Sequence, residues 1–384
     1  MTLKRLLIAI LTRIEVVYDT LKWRLRRWFG LDHVRIVPYV GYGTQTAFYL
    51  KGRALAGRSI ARVTEADTVW KNVLNMIRRM HTFELPRVRV RARFRDLEQD
   101  ARANVEGYFD IHLPLNAPPA GPTPWYEVEL ELVDYASEMG ARVMGQVFVP
   151  PPDAQFAVIS DLDDTVIQTD VLHLINMARN TFLRNAYTRL PFKGVAAFYR
   201  ALQRGSGEQH NPIFYVSNSP WNLYDLLVDF FKVRRIPLGP LFLTDLGLTA
   251  DHLIRPDPME HKLKHIETLM ARYPTLPFIL IGDSGEHDAE IYLEAVRRSP
   301  ARVLAVYIRA ADDTSDLLPL VQQASQLGVE MLMVPDTVTA ANHAAERGFI
   351  QPGELPLIRQ EREDDEQAGT TTLEKIEDAT GMGP

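Results

Sequence analysis

Three apolar runs in this chain each give way to polar residues whose types suit one kind of reaction. "FAVIS" leads into "DLDDT", which puts Asp161, Asp163 and Asp164 within four residues. "IFYVS" ends on Ser217 and leads into "NSP", and "PFILIG" leads into "DSGEHD" with Asp283 and Asp288. Between the last two, "MEHKLKHI" opens a helical pattern that carries Lys262 and Lys264. Crowded carboxylates repel one another, so a fold gains nothing from them unless something positive is expected there. Together these residues are a kit for moving a phosphoryl group through an aspartyl intermediate. A carboxylate nucleophile takes the group. A second carboxylic acid, two residues on, protonates the leaving oxygen and later deprotonates water. A hydroxyl and an ammonium hold the charge spread over the phosphoryl oxygens. A hard divalent cation lets an anionic nucleophile approach an anionic phosphate, and carboxylate oxygens with water suit Mg²⁺.

The elements that must position this kit follow from the texture of the second half. "FAVIS", "IFYVS", "PFILIG", "RVLAVYI" and "VEMLMV" alternate with helical patterns such as "WNLYDLLVDFFKV", "EHKLKHIETLMARY" and "HDAEIYLEAVRRS". Continuous apolar strands separated by helices predict a parallel sheet covered on both faces, with ligands at the carboxyl ends of its strands. Asp161 and Asp163, two apart at the end of an extended segment, are expected to point the same way. Free backbone N–H groups in the turn that follows suit phosphate. Ser219 as N-cap and Pro220 at the first helical position would aim a positive helix end at the anion. Only the short insert from Val166 to Lys193 follows the first motif, too little for a large cap domain. The site is therefore expected to be open, which suits a bulky substrate presented at a surface.

Upstream, residues 33–150 read as short strands. "PRVRVRARFRD" sets Val88, Val90, Ala92 and Phe94 against a row of arginines, and "WYEVELELVDY" sets Tyr126, Val128, Leu130 and Leu132 against Glu127, Glu129 and Glu131. Period-two alternation with one polar face predicts antiparallel strands half exposed to water, and a small β-sandwich is the expected arrangement, interrupted by a helix at "TVWKNVLNMIRRM". The arginine row suits phosphate headgroups or cross-strand pairing with the glutamates; pairing is the expectation. "GYGT" lacks the spacing of a phosphate cradle and reads as a turn. "VPPPDAQ" is a proline-stiffened boundary before a catalytic domain over 154–350. Residues 353–384, with "EREDDEQAGTTT", read as an acidic, disordered tail.

Residues 1–32 place apolar side chains at a helical period among Lys4, Arg5, Arg13, Lys22, Arg24, Arg26 and Arg27, with Trp23, Trp28 and Phe29 near the end. Such a basic amphipathic helix either lies on an anionic membrane surface, through residues 1–30, or docks on its own protein. Its uncharged apolar run is too short to span a bilayer. A net charge of −6 argues against a general nucleic-acid binder. With no cysteine, disulfides and thiolate metal sites are excluded, which fits a reducing, cytoplasmic setting with possible peripheral attachment to the inner face of the membrane.

The order of the motifs resembles the haloacid-dehalogenase-like phosphohydrolases. The longer strings "SDLDDTVIQTDV", "TRLPFKGVAAFYRAL", "YVSNSPWNLYDLL" and "EHKLKHIETLMARYPTLPFILIGDSGEHDAEIY" are similar to the catalytic domain of the actin-patch-type phosphatidate phosphatases, over roughly Ala154 to Ile350. The resemblance implies a haloacid-dehalogenase-like α/β Rossmannoid domain and a Mg²⁺-dependent phosphomonoester hydrolase releasing diacylglycerol and phosphate from phosphatidate. It implies Asp161 as nucleophile and metal ligand, and Asp163 as acid/base, ligating through its backbone carbonyl. Ser217 and Lys262 would bind and neutralise the phosphoryl oxygens, with Thr165 and Asn218 as further substrate contacts. Asp283 would be the remaining metal carboxylate, with Asp288 ordering the metal site or a metal-bound water. Lys262 is preferred to Lys264 because "HKxxxI" matches the family string. The same chemistry also serves a non-lipid phosphoester: a phosphoprotein, a nucleic-acid end or a sugar phosphate. A catalytically silent membrane scaffold would show a damaged kit, whereas every required position here is intact.

Overall fold

The computed structural model describes residues 34–56, 83–121, 123–136, 140–162, 194–207, 210–244, 258–284, 287–309 and 315–366. The expected amphipathic helix over residues 1–32, the helix at "TVWKNVLNMIRRM" and the insert after the first motif lie outside them. Among the described residues, no helix is long and apolar enough to cross a membrane. The chain divides into two compact units, one comprising residues 1–149 with 220–222 and 245–257, the other residues 150–219, 223–244 and 258–384.

Among the described residues, the first unit is a nine-stranded sheet. Its strands are β1 (Val34–Pro38), β2 (Gly41–Gly43), β3 (Ala47–Ala56), β4 (Phe83–Glu84), β5 (Arg89–Phe94), β6 (Leu97–Arg102), β7 (Tyr108–Pro114), β8 (Trp125–Leu132) and β9 (Arg142–Phe148). They are hydrogen-bonded in the order β1-β3-β2-β9-β8-β5-β6, with β4 and β7 also on β3. Neighbours run antiparallel except β2 and β9. Hydrogen bonds thus join all nine strands into one sheet, where two stacked sheets were expected. Flat, four strand spacings would hold β3 and β5 about 19 Å apart. Yet the rings of Phe48 on β3 and Phe94 on β5 meet at 4.8 Å, so the sheet curls over on itself. The alternation read from the sequence supplies the core: Val90, Ala92, Val128, Leu130 and Leu132 are buried in one cluster with Phe48, Leu50 and Ile111.

The second unit is a six-stranded sheet. Its strands are β10 (Ala157–Asp161), β11 (Ile213–Pro220), β12 (Leu241–Thr244), β13 (Phe278–Asp283), β14 (Val303–Arg309) and β15 (Glu330–Val334), in the order β12-β11-β10-β13-β14-β15. The β10–β11, β10–β13, β13–β14 and β14–β15 pairs are parallel. The helices are α1 (Val195–Arg204), α2 (Tyr224–Arg234), α3 (Pro258–Arg272), α4 (Asp288–Arg298), α5 (Leu318–Gln326) and α6 (Thr337–Glu346), followed by a seventh, α7, over residues 355–366.

α7 corrects the expectation of a disordered tail over residues 355–366; residues 367–384 lie outside the described residues. Its acidic composition favours solvent when read locally, but its acids, and Glu354 just before it, meet arginines distant in sequence. Glu354 pairs with Arg204, Glu361 with Arg200, and Asp365 with Arg234, while Ile358 is fully buried. Asp365 also accepts the Gly194 N–H at 2.8 Å, capping the start of α1 from across the sequence.

Candidate active site

β10 is buried along its whole length and ends on Asp161, itself only 2% exposed. Asp161 stands in register with Val216 on β11, so Ser217 is one residue further along the neighbouring strand. On the other side Ser160 is opposite Ile281 of β13, which ends two residues later at Asp283. Three adjacent strands therefore deliver Asp161, Ser217 and Asp283 to one edge of the sheet.

Lys262 joins them from α3. Its ammonium lies 2.7 Å from Asp161 Oδ1 and 2.8 Å from Asp288 Oδ1, and its side chain is 2% exposed. Burial alone would lower its pKa, but the carboxylates of Asp161 and Asp288 more than offset this and hold the amine well above the usual lysine value. Lys264, two residues on, is exposed on another side of the helix.

Asp288, fully buried at the first position of α4, has both carboxylate oxygens engaged. Oδ1 meets Lys262, and Oδ2 accepts the Asp283 N–H at 2.9 Å. This close approach is possible because residue 282 is glycine: a Cβ there would lie 2.4 Å from Asp288 Oδ2. Asp283 in turn binds Arg309, at the end of β14, through Oδ2 at 3.0 and 3.1 Å.

Around Ser217 the structure differs from expectation. β11 continues to Pro220, a 3-10 turn follows over Trp221–Leu223, and α2 begins only at Tyr224, with no side-chain cap. Ser219 is therefore not an N-cap, nor Pro220 a first helical residue. Instead the Ser219 N–H donates to Ser217 Oγ at 3.0 Å, a short-range bond that satisfies this backbone group without a helix. Ser217 is fully buried and Asn218 half-buried. Asp163 and Thr165 lie outside the described residues.

The structure thus gathers Asp161, Lys262 and Asp288 in direct contact, with Asp283 tied to Asp288 through its backbone and Ser217 on the adjacent strand. Sequence reasoning missed Arg309 and Gly282. Arg309 is the polar residue that closes the apolar run "VLAVYI", and Gly282 directly precedes Asp283; both signals were present in the sequence. Among the described residues, no group of three or more His, Asp or Glu side chains is arranged to hold a metal ion.

Residues 156–310 match a family described as "Phosphatidate phosphatase APP1, catalytic domain". The match covers less than half of the chain. All the residues gathered above fall within the matched segment. Phosphatidate phosphatase APP1 of Saccharomyces cerevisiae is 32% identical over 163 residues, 42% of this chain and 27% of the yeast protein. An uncharacterized protein of Schizosaccharomyces pombe is 29% identical over 216 residues, 55% of this chain and 34% of that protein. The chain thus spans about a third or less of these curated relatives. Among solved structures, a carbohydrate acetylesterase from Xanthomonas citri aligns with 78% of this chain and 69% of its own, at 10% identity and a TM-score of 0.30.

Proposed function

We propose that this protein is a Mg²⁺-dependent phosphatidate phosphatase, built on a haloacid-dehalogenase-like Rossmannoid domain and working through an aspartyl-phosphate on Asp161. The reading rests on the Asp161–Lys262–Asp288 cluster at a strand end inside the segment that matches the phosphatidate phosphatase family.

The donor set fits the proposed cation. Asp161, Asp283 and Asp288 offer oxygen only, and against Lys262 and Arg309 these five side chains keep one negative charge in excess. Hard oxygen donors with surplus negative charge suit Mg²⁺; Asp161 and Asp283 would be its carboxylate ligands, and Asp163 would ligate through its backbone carbonyl. When bound, Mg²⁺ supplies neutralising charge that lets a carboxylate meet an anionic phosphate. Asp288 serves this site indirectly, since its two oxygens hold the Lys262 ammonium and the Asp283 backbone.

In the first step a carboxylate oxygen of Asp161 bonds to phosphorus as the bond from phosphorus to the ester oxygen breaks. Asp163 gives its proton to that leaving oxygen. Lys262 and Ser217, with Thr165 and Asn218, hold the phosphoryl oxygens. Asp163 then takes a proton from water, which attacks phosphorus and frees Asp161. Residues 1–30 are the proposed contact with an anionic membrane surface, which would make the enzyme peripheral on the cytoplasmic face.

The test is phosphate release from phosphatidate in mixed micelles, with and without Mg²⁺, beside p-nitrophenyl phosphate, a phosphopeptide and a sugar phosphate. Mg²⁺-dependent release from phosphatidate is expected, reduced about 10³-fold or more in Asp161→Asn. Turnover of the soluble esters alone would end the lipid assignment. Substantial activity in Asp161→Asn would end the nucleophile assignment.

A further inference from the structure

The backbone of Asp161 is held by two buried tyrosines for which the mechanism above has no use. Tyr292 lies four residues after Asp288 on α4, hence on the same helical face, and is 2% exposed. Its hydroxyl donates to the Ile281 carbonyl at 2.9 Å. The ladder between β10 and β13 pairs Ser160 with Ile281. Ala157 N–H donates to the Pro277 carbonyl, which sets the phase of this parallel ladder, so the Asp161 N–H donates to the Ile281 carbonyl. The Tyr292 hydroxyl and the Asp161 N–H therefore share one acceptor.

On the carbonyl side, Ser160 Oγ donates to the Asp161 C=O at 3.0 Å and lies 2.6 Å from the hydroxyl of Tyr199, on α1. Ser160 is fully buried and Tyr199 is 2% exposed. Burial, with the nearby Asp288 and Asp161 carboxylates, pushes the Tyr292 phenol well above its usual range, so it stays a neutral donor.

We infer that Tyr292 and Tyr199 are positioning residues that clamp the Asp161 peptide from its two sides and so fix the direction of its carboxylate. Tyr292 also ties α4 to β13 at the carbonyl that accepts the Asp161 N–H. Because it sits one helical turn past Asp288, the same hydroxyl keeps the Asp288–Lys262 pair in register with Asp161. A phenylalanine at 292 keeps the ring but removes the hydroxyl from the Ile281 carbonyl. The end of α4 that carries Asp288 then loses its tie to the strand that holds the Asp161 N–H, and the carboxylate leaves its line of attack. This inference rests on Asp161 being the nucleophile.

The experiment measures Tyr292→Phe, Tyr199→Phe and the double variant against wild type and Asp161→Asn, with phosphatidate in mixed micelles and p-nitrophenyl phosphate. Misplacement of a reacting group is expected to lower kcat about tenfold or more in Tyr292→Phe, with KM within about twofold of wild type and the folded protein retained by circular dichroism. Since both tyrosines act on one peptide, the loss in the double variant is expected to be smaller than the product of the single losses. A kcat within twofold of wild type in both single variants overturns the clamp. So does a loss that simply follows a fall in Tm, because a purely structural role lowers the amount of folded enzyme and not its turnover. If Tyr292→Phe does not fold, Tyr199→Phe decides by the same criteria. Activity in Asp161→Asn would instead strike at the nucleophile assignment, so the two failures are separable.

Discussion

Arg93 on β5 and Lys262 on α3 are both cations held between carboxylates at short range. Arg93 meets Glu98 and Glu131 at 2.7 Å and Glu129 at 3.1 Å; Lys262 meets Asp161 at 2.7 Å and Asp288 at 2.8 Å. The distances match, but the surroundings do not. The Arg93 side chain is 30% exposed and belongs to a row in which Arg89, Arg91 and Arg93 each have an acid of their own across the strands, so the charges cancel on a wet surface. Lys262 is sealed from water, and the acids around it outnumber the cations. Charge on an exposed sheet face is screened and serves mainly solubility and register, whereas charge converging at a buried strand end keeps its field for use on a ligand. The same residue types are scaffold in one unit and candidate machinery in the other.

The comparison breaks most sharply at Lys262. Lys262→Met is expected to lower turnover about 10²–10³-fold, since it removes the cation aimed at the phosphoryl charge and leaves Asp161 and Asp288 without their shared counter-ion. Steady-state kinetics on folded protein checks this, and Arg93→Met in the same assay is expected to keep wild-type turnover. Gly282→Ala comes next. Its new Cβ meets Asp288 Oδ2, so Asp288 and with it Lys262 must shift, and kcat is expected to fall about tenfold to hundredfold without any change to a charged group.

In the nine-stranded sheet the expected effects are on stability alone. Glu131, buried beneath Arg93 and Arg142, is its most sheltered acid. Glu131→Ala is expected to cost about 1–2 kcal/mol in urea denaturation, less than a fully dry ion pair because Arg142 is largely in water. Burial would raise the Glu131 pKa, but Arg142 and Arg93 bring it below the ordinary glutamate value of 4.5. Because the folded value is the lower one, its contribution is full above that pH and is lost as the pH falls further; wild type and Glu131→Ala are therefore expected to converge in stability on acidification. The smallest effect is at Arg91, paired with Asp100 on the exposed face. Arg91→Ala is expected to leave Tm within about 2 °C, with any difference vanishing in about 1 M salt.

Most of the candidate site could be read locally. Asp161, Ser217 and Asp283 each follow an apolar run long enough to be a buried strand, and the preference for Lys262 came from the string around it. The arginine and glutamate rows were legible for a similar reason: a strict period of two puts one charge type on one face of each strand, and neighbouring strands pair them. Ser219 and Pro220 misled because serine followed by proline favours a helix start, while here the strand continues through both. Glu354, Glu361 and Asp365 misled because acidic composition carries no record of the arginines waiting on α1 and α2.

By itself the sequence determined which residues lie on strands, which end those strands, and the kind of chemistry their side chains suit, because hydrophobic periodicity and residue type are local properties. Tertiary structure alone decided that Asp288 would turn both oxygens inward to Lys262 and Asp283, that Arg309 would answer Asp283, and that Tyr292 would reach the Ile281 carbonyl beside Asp161. Each of those contacts joins segments whose approach is set by how helices pack on the sheet, and no local pattern encodes a distance between elements far apart in the chain.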